Sequence, residues 1–367
     1  MFSFLYQFAP HATSYLQHDL TQNDMNKAPP QKTVASMNSI DHSLQSSNPS
    51  EPLISRIAVF FFMWQICTFA QTLTSIAQEI PPSKSLRIAG YLPNYRFAEF
   101  DERNAYGLTD ILLFSVEPQA DGTLDQTALQ NCPWEKLERL KKERNVRLSV
   151  TIGGWDRSQH FAKVATTPHL RKTFIQSITQ LVEERRLQGV DLDWEHPHST
   201  DEQIAYGTLL QELRDKLAPQ QTVITVTIAG WQPLPKSAID AIDYVQLMAY
   251  DHDQEHSTLD KAQAEVESLI NRGIPRQKIV LGLPFYGRHI RTREAFTYQQ
   301  IQRKYAPLPS VDLVDDIYFN GPHTIREKVK FTLNHQLAGI MIWELGQDTS
   351  GQNSLLNAAV QATTDRR

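Results

Sequence analysis

The amino-acid sequence predicts a (β/α)8 barrel over residues 86–367, and three features carry that expectation. Eight short β-prone runs recur at Arg87–Leu92, Asp110–Val116, Val146–Ile152, Gly189–Trp194, Thr222–Ile228, Tyr244–Met248, Ile279–Leu283 and Gly339–Trp343. Helical periods separate most of them, and the whole stretch suits a barrel of about 250 residues with its loops. The first run is followed by Pro93-Asn94-Tyr95-Arg96, with none of the glycines that bind phosphate in a doubly wound sheet, so that open sheet is the weaker reading.

Residues 1–55 are rich in Ser, Asn, Gln, Pro and His without a sustained apolar period, and read as disordered or absent from the mature protein. Residues 56–77 hold an apolar run, Ile57–Ala70, followed by the small-x-small site Ser75-Ile76-Ala77. The run is short for a membrane span of about 20 residues and suits the core of an export signal. The expectation is a secreted or extracytoplasmic protein, with a membrane anchor as the alternative if the 57–70 run is not cleaved. Residues 78–85 are a linker.

Within the barrel region, Pro133 fits the first turn of a helix through Trp134, Leu137 and Leu140. Phe174, Ile178, Leu181 and Val182 mark the helix between the third and fourth runs, and Leu209, Leu210, Leu213 and Leu217 the next. Asn271-Arg272-Gly273 with Pro275 stops another, and Ile325, Val329 and Leu333 mark the helix before the last strand.

Composition narrows the partners. A net charge of −5 and no basic block argue against a nucleic-acid surface. The only cysteines are Cys67 and Cys132, so no disulfide framework can be inferred. His196-Pro197-His198 and Asp251-His252-Asp253 lack the spacing of a known ligand set, so neither a metal nor a cofactor is expected.

Chemistry concentrates in Asp191, Asp193 and Glu195, at i, i+2 and i+4 around Val190, Leu192 and Trp194. On a strand these acids share one face and the apolar residues the other. A solvated edge strand or an acidic loop would explain the pattern equally well. In a barrel, however, the C-terminal ends of the strands line the site. The other ends carry Gly90-Tyr91, Thr151-Ile152-Gly153-Gly154-Trp155, Met248-Ala249-Tyr250-Asp251, Tyr286-Gly287-Arg288 and Trp343-Glu344. Core or rim packing is the ordinary use of such aromatics. Acids, aromatic faces and an arginine arriving at one rim suit a neutral sugar.

Gly189-Val190-Asp191-Leu192-Asp193-Trp194-Glu195 resembles the signature of family 18 glycoside hydrolases, which comprise chitinases, endo-β-N-acetylglucosaminidases and inactive lectin-like relatives. The resemblance runs from about Leu86 onward, with five other strand ends matching in order. It departs at Gln188, where an acid usually opens the signature, at Thr151, usually Ser, and at His196, commonly Tyr. The resemblance implies catalysis by the substrate's own acetamido group, the exception to paired-carboxylate hydrolysis. Glu195 would protonate the glycosidic oxygen, Asp193 would hold the acetamido N–H, Tyr250 would donate to its carbonyl, and Asp191 would share a proton with Asp193. Trp343 would floor the reacting sugar, with Met248 nearby. Asp251, Tyr286 and Arg288 would bind hydroxyls and the acetamido group, Trp155 would stack on the leaving side, and Tyr91 is a further candidate for substrate binding. Residues 289–323 are too few for the full α+β insertion of many chitinases, which implies a shallower cleft.

The expected activity is retaining hydrolysis of β-1,4-linked N-acetylglucosamine polymers, chitin or its oligosaccharides. Alternatives are an endo-β-N-acetylglucosaminidase on N-glycans or peptidoglycan fragments, and a chitin-binding lectin without turnover. The lectin is disfavoured because Glu195 is present. A metal phosphohydrolase using the three acids as ligands would want histidines or more acids at the other strand ends.

Overall fold

The structure is a computed structural model and describes residues 86–364. The expectations for a non-mature region, an export signal and a linker in residues 1–85 lie outside the described residues. Among the described residues no helix is long and apolar enough to cross a membrane.

Eight parallel strands close a barrel: β1 (Arg87–Pro93), β2 (Asp110–Pro118), β3 (Arg147–Gly153), β4 (Gly189–Asp193), β5 (Val223–Ala229), β6 (Tyr244–Met248), β7 (Ile279–Pro284) and β8 (Gly339–Trp343). Neighbours in sequence pair in space, and β1 completes the circle by pairing with both β8 and β2. All eight predicted runs are strands. The helices are α1 (Trp134–Arg144), α2 (Phe161–Thr166), α3 (Pro168–Glu184), α4 (Thr200–Leu217), α5 (Lys236–Ala241), α6 (Leu259–Asn271), α7 (Tyr298–Tyr305), α8 (Pro322–Asn334) and α9 (Leu355–Thr364). After β1 two 3-10 turns, Asn94–Glu99 and Glu102–Ala105, stand in place of a helix. Pro133 lies just before α1 rather than in its first turn, and its carbonyl accepts the Lys136 and Leu137 N–H groups.

Strand alternation splits the core in two. Val190, Leu192 and Trp194 face outward into the layer between strands and helices, where the Trp194 ring stacks on Phe161 at 5.4 Å. The inward positions differ around the barrel. β1, β2, β7 and β8 contribute an apolar wall of Ala89, Tyr91, Leu112, Phe114, Val280 and Met341. β3 to β6 contribute Ser149, Thr151, Asp191, Asp193, Thr225, Thr227 and Gln246, all buried. Most of these groups find partners, so this half of the barrel is a hydrogen-bonded network rather than a hydrophobic plug, with Ser149 Oγ, Asp193 Oδ1 and Gln246 Oε1 left without one.

Between β7 and α8 the chain builds a compact α+β unit. Its four antiparallel strands run in the order Ala295–Thr297, Tyr286–His289, Ile317–Tyr318, Leu313–Val314, and α7 follows the first of these. The sequence predicts α7, which a capping box of Thr297 and Gln300 starts, but not the sheet. Strands this short carry no readable period. Tyr286 and Arg288, expected at a barrel strand end, lie on the central part of this sheet, where Arg288 pairs with Ala295 and Tyr318.

Candidate active site

The three acids occupy the inward face of β4 and the residue pair beyond it. Asp191 is fully buried in the polar wall, and five side chains contact its carboxylate. Tyr91 Oη donates at 2.8 Å, Thr225 Oγ1 at 2.6 Å, Gln246 Nε2 at 3.0 Å, Thr227 Oγ1 at 3.1 Å and Thr151 Oγ1 at 3.2 Å. The Tyr91 and Thr227 oxygens are also 2.6 Å apart; each hydroxyl has one proton, so when one of them donates to the other, only the other donates to Asp191. Tyr91 is only 1% exposed, and its hydroxyl is engaged by Asp191. Thr151 keeps the hydroxyl that its position requires. Gln188 stands at the opposite end of β4, where its Oε1 accepts the Leu148 N–H at 3.2 Å, so the missing acid there is remote from the chemistry.

Asp193 has no comparable shell. It is 3% exposed, and its buried Oδ1 has no hydrogen-bond partner. Burial, then the charges of Glu195 and Asp191, push its carboxyl well above the usual range. Asp193, with no donor on its buried oxygen, is therefore held toward its protonated form.

Glu195 is held beyond the end of β4 by its backbone. Gly153 and Gly154 have φ of +94° and +104°, conformations that L side chains rarely adopt. They fold the β3 loop so that Gly154 N–H reaches the Asp193 carbonyl at 2.7 Å and Ser158 Oγ accepts the Glu195 N–H at 3.1 Å. A Cβ at Gly153 would collide with the Asp193 carbonyl and the Phe161 ring. Burial first, then the charges of Asp251 and Asp156, raise Glu195 from its ordinary 4.5 to about 7. That is about 3 kcal/mol against its ionised form. A general acid must be protonated to act, so kcat/KM is expected to fall as pH rises through about 7, the value reached by Glu195. A pH profile from 5 to 9 checks this; activity that stays level through that range would contradict it.

Around the acids stand the other expected residues. Trp343 lies half-buried on the apolar wall, 5.4 Å from the Tyr91 ring and 4.7 Å edge-on from Phe114. Met248 and Tyr250 pack beside the same cluster. Burial and the neighbouring acids, Asp251 foremost, raise the Tyr250 phenol well above its usual value, so it stays a donor. Asp251, in a left-handed conformation at φ 67°, accepts Tyr286 Oη at 2.7 Å and the Arg288 guanidinium. Burial raises its carboxyl, but Arg288 more than offsets this and holds it below the usual range. His256, fully buried, has its Nδ1 3.7 Å from the same Asp251 oxygen. Trp155 is 55% exposed at the rim.

Several members of the site were not singled out from the sequence: Thr225, Thr227, Gln246, Phe114, Ser158, Gln232 and His256. The first three carry a usable signal, since polar side chains at inward positions of otherwise apolar strands are costly unless something engages them. The others arrive from loops or depend on packing. Among the described residues no group of three or more His, Cys, Asp or Glu is arranged to hold a metal ion.

The model of the family "Glycosyl hydrolases family 18" matches residues 87–348. Chitinase 1 of Aphanocladium album is 27% identical over 287 residues, spanning 62% of this chain and 68% of that protein. A class V chitinase of Arabidopsis thaliana is 25% identical over 86% of this chain and 97% of its own length. Among solved structures, a family 18 chitinase from the chitin utilization locus of Flavobacterium johnsoniae superposes with a TM-score of 0.69 at 26% identity, covering 77% of this chain and 95% of that one. Acid triad, closed barrel and family match coincide on the same residues, and the chain belongs to glycosyl hydrolase family 18 as a chitinase-like glycosidase.

Proposed function

We propose that the protein hydrolyses β-1,4-linked N-acetylglucosamine polymers with retention at the anomeric carbon, using the substrate's acetamido group as nucleophile. The observation that carries the reading is the unequal environment of the three acids on β4. Glu195, raised to about 7, is protonated below that pH and gives its proton to the glycosidic oxygen as the bond breaks. The acetamido carbonyl oxygen on the other side attacks C1 of the same sugar and closes an oxazolinium ring. Asp193, whose buried Oδ1 lacks a partner in the free protein, turns to accept the acetamido N–H, and the positive charge developing on the ring favours its ionised form. Tyr250 donates to the attacking carbonyl oxygen, and the Trp343 face supports the apolar side of the sugar. Water, deprotonated by the carboxylate left on Glu195, opens the ring at C1 and restores the starting configuration and the proton.

Asp251, tied to Arg288 and Tyr286, offers polar groups on a fixed frame to the hydroxyls of the bound sugars. The chitinase names of the relatives support chitin as the polymer. The test is incubation of residues 78–367 with chitohexaose, a glycopeptide and peptidoglycan, following reducing ends and the first-formed anomer by NMR. Release from chitohexaose with the β-anomer appearing first is expected. An α-anomer first, or release only from the other two substrates, would contradict the reading.

A further inference from the structure

Lys328 lies fully buried on α8, and no step of the proposed reaction uses it. Its Nζ donates to the Ser257 carbonyl at 2.8 Å, to Ser257 Oγ at 2.7 Å and to Asn320 Oδ1 at 2.7 Å. The protons of this cluster can be assigned one by one. Ser257 Oγ gives its single proton to the Ala249 carbonyl at 2.8 Å, so toward Lys328 it accepts. Asn320 Nδ2 donates to the Ser257 carbonyl at 2.8 Å, which leaves its Oδ1 facing Lys328. Nζ therefore makes three donations, which only the protonated amine can do. Burial works against that charge and lowers Lys328 from 10.5 to about 7. A buried cation held by neutral oxygens is costly to keep, and this one sits where three segments meet.

Ser257 belongs to the loop between β6 and α6, which begins with Ala249, Tyr250 and Asp251. Asn320 leaves the α+β unit two residues after its strand Ile317–Tyr318, and Lys328 follows on α8. The same unit holds the loop from its other side. Arg293, in the turn before strand Ala295–Thr297, donates to the Asp251 carbonyl at 3.0 Å and the His252 carbonyl at 2.6 Å. Both carbonyls that flank Tyr250 and Asp251 are thus tied, Ala249 through Ser257 to Lys328, and Asp251 to Arg293. Such ties are needed, because the left-handed conformation of Asp251, at φ 67°, persists only where the surroundings fix it. The fully buried His256 ring fills the space behind, 5.0 Å from the Tyr286 ring and 5.9 Å from that of Tyr318.

We propose that Lys328 is a positioning residue: it clamps the β6–α6 loop to the α+β unit and so fixes Tyr250 where it donates to the acetamido carbonyl. The proposal rests on the hydrolase reading, which supplies the role of Tyr250. A donor aimed at developing charge works only if it is already in place, and a small displacement weakens the transition state.

The test is made at pH 6, below the values reached by both Lys328 and Glu195. Its probe is a thiazoline analogue of chitobiose, whose fused five-membered ring imitates the oxazolinium, and the readout is its Ki against chitohexaose hydrolysis. Partial unfolding lowers the maximal rate but leaves Ki unchanged, so a merely structural role does not move it. Lys328→Met keeps the length of the side chain and removes all three donations; Ki is expected to rise about tenfold, the worth of one misplaced hydrogen bond. Ser257→Ala removes only the hydroxyl between Lys328 and Ala249, and a rise of about threefold is expected. A Ki at the parent value in either variant overturns the proposal, whatever happens to the melting temperature. If Lys328→Met does not fold, Ser257→Ala decides alone on the same criterion. A parent that does not cleave chitohexaose, or that the thiazoline does not inhibit, overturns the hydrolase reading and this proposal with it. An active, inhibited parent with parent-like variants overturns this proposal alone.

Discussion

Glu195→Gln is expected to lower kcat on chitohexaose by about 10³-fold or more, the usual worth of a positioned general acid. The amide has the shape of the acid and cannot deliver a proton. Glutamine also has no charge to desolvate, so the variant should fold at least as stably as the parent. The acid's pKa is raised in the fold, so its protonated form contributes stability below the unfolded value that is lost as pH rises through about 7. Above that pH the parent carries an ionised, buried Glu195 and the variant does not. Chitohexaose hydrolysis and thermal unfolding at pH 8 are the two measurements. A variant matching the parent in kcat would show that Glu195 is not the acid; one that simply melts earlier would show that the loss is structural.

Asp193→Asn is the second large effect, a fall in kcat of about 10²-fold or more from losing charge beside the developing oxazolinium. Asn can mimic the protonated form of Asp193 but cannot become anionic when the ring turns positive. The stability argument has the same sign. Burial and the charges of Glu195 and Asp191 raise Asp193, so its contribution is present at low pH and lost as pH rises through the raised value. The variant removes that pH-dependent penalty. Kinetics with chitohexaose beside a denaturant titration at pH 8 distinguish the two roles. Retained kcat would contradict the role of Asp193 in catalysis. A marked loss of stability would contradict the cost of burying its charge.

The barrel was legible because its strands are buried on both faces and alternate with amphipathic helices, a pattern that survives in a single sequence. Val190, Leu192 and Trp194 turned outward and the acids inward, as alternation requires. A tyrosine at a strand end such as Tyr91 looks the same in sequence whether its hydroxyl points to a cleft or, as here, to Asp191 of another strand. The small sheet around Tyr286 and Arg288 escaped for a different reason: strands of two to four residues are set by pairing partners, not by their own pattern. Thr225, Thr227 and Gln246 were readable in principle as polar breaks in apolar strands. Gln232 and His256 were not, since loops bring them to His196 and Asp251 and no local period announces it. The three positions where the sequence departs from the family pattern separate cleanly in space. Gln188 caps the far end of β4, Thr151 preserves a hydroxyl on Asp191, and His196 alone touches the acid.

The central claim is that the substrate's acetamido group, and not a protein carboxylate, attacks the anomeric carbon. The most direct measurement compares two nitrophenyl chitobiosides, one with its natural acetamido group on the reacting sugar and one with a trifluoroacetamido group there. Fluorine withdraws electron density from the carbonyl oxygen, so an attacking acetamido group loses nucleophilicity while a protein nucleophile would be indifferent. The account predicts kcat/KM lower by about 10²-fold or more for the fluorinated substrate, roughly 3 kcal/mol in the barrier. Equal kcat/KM for the two substrates would contradict it.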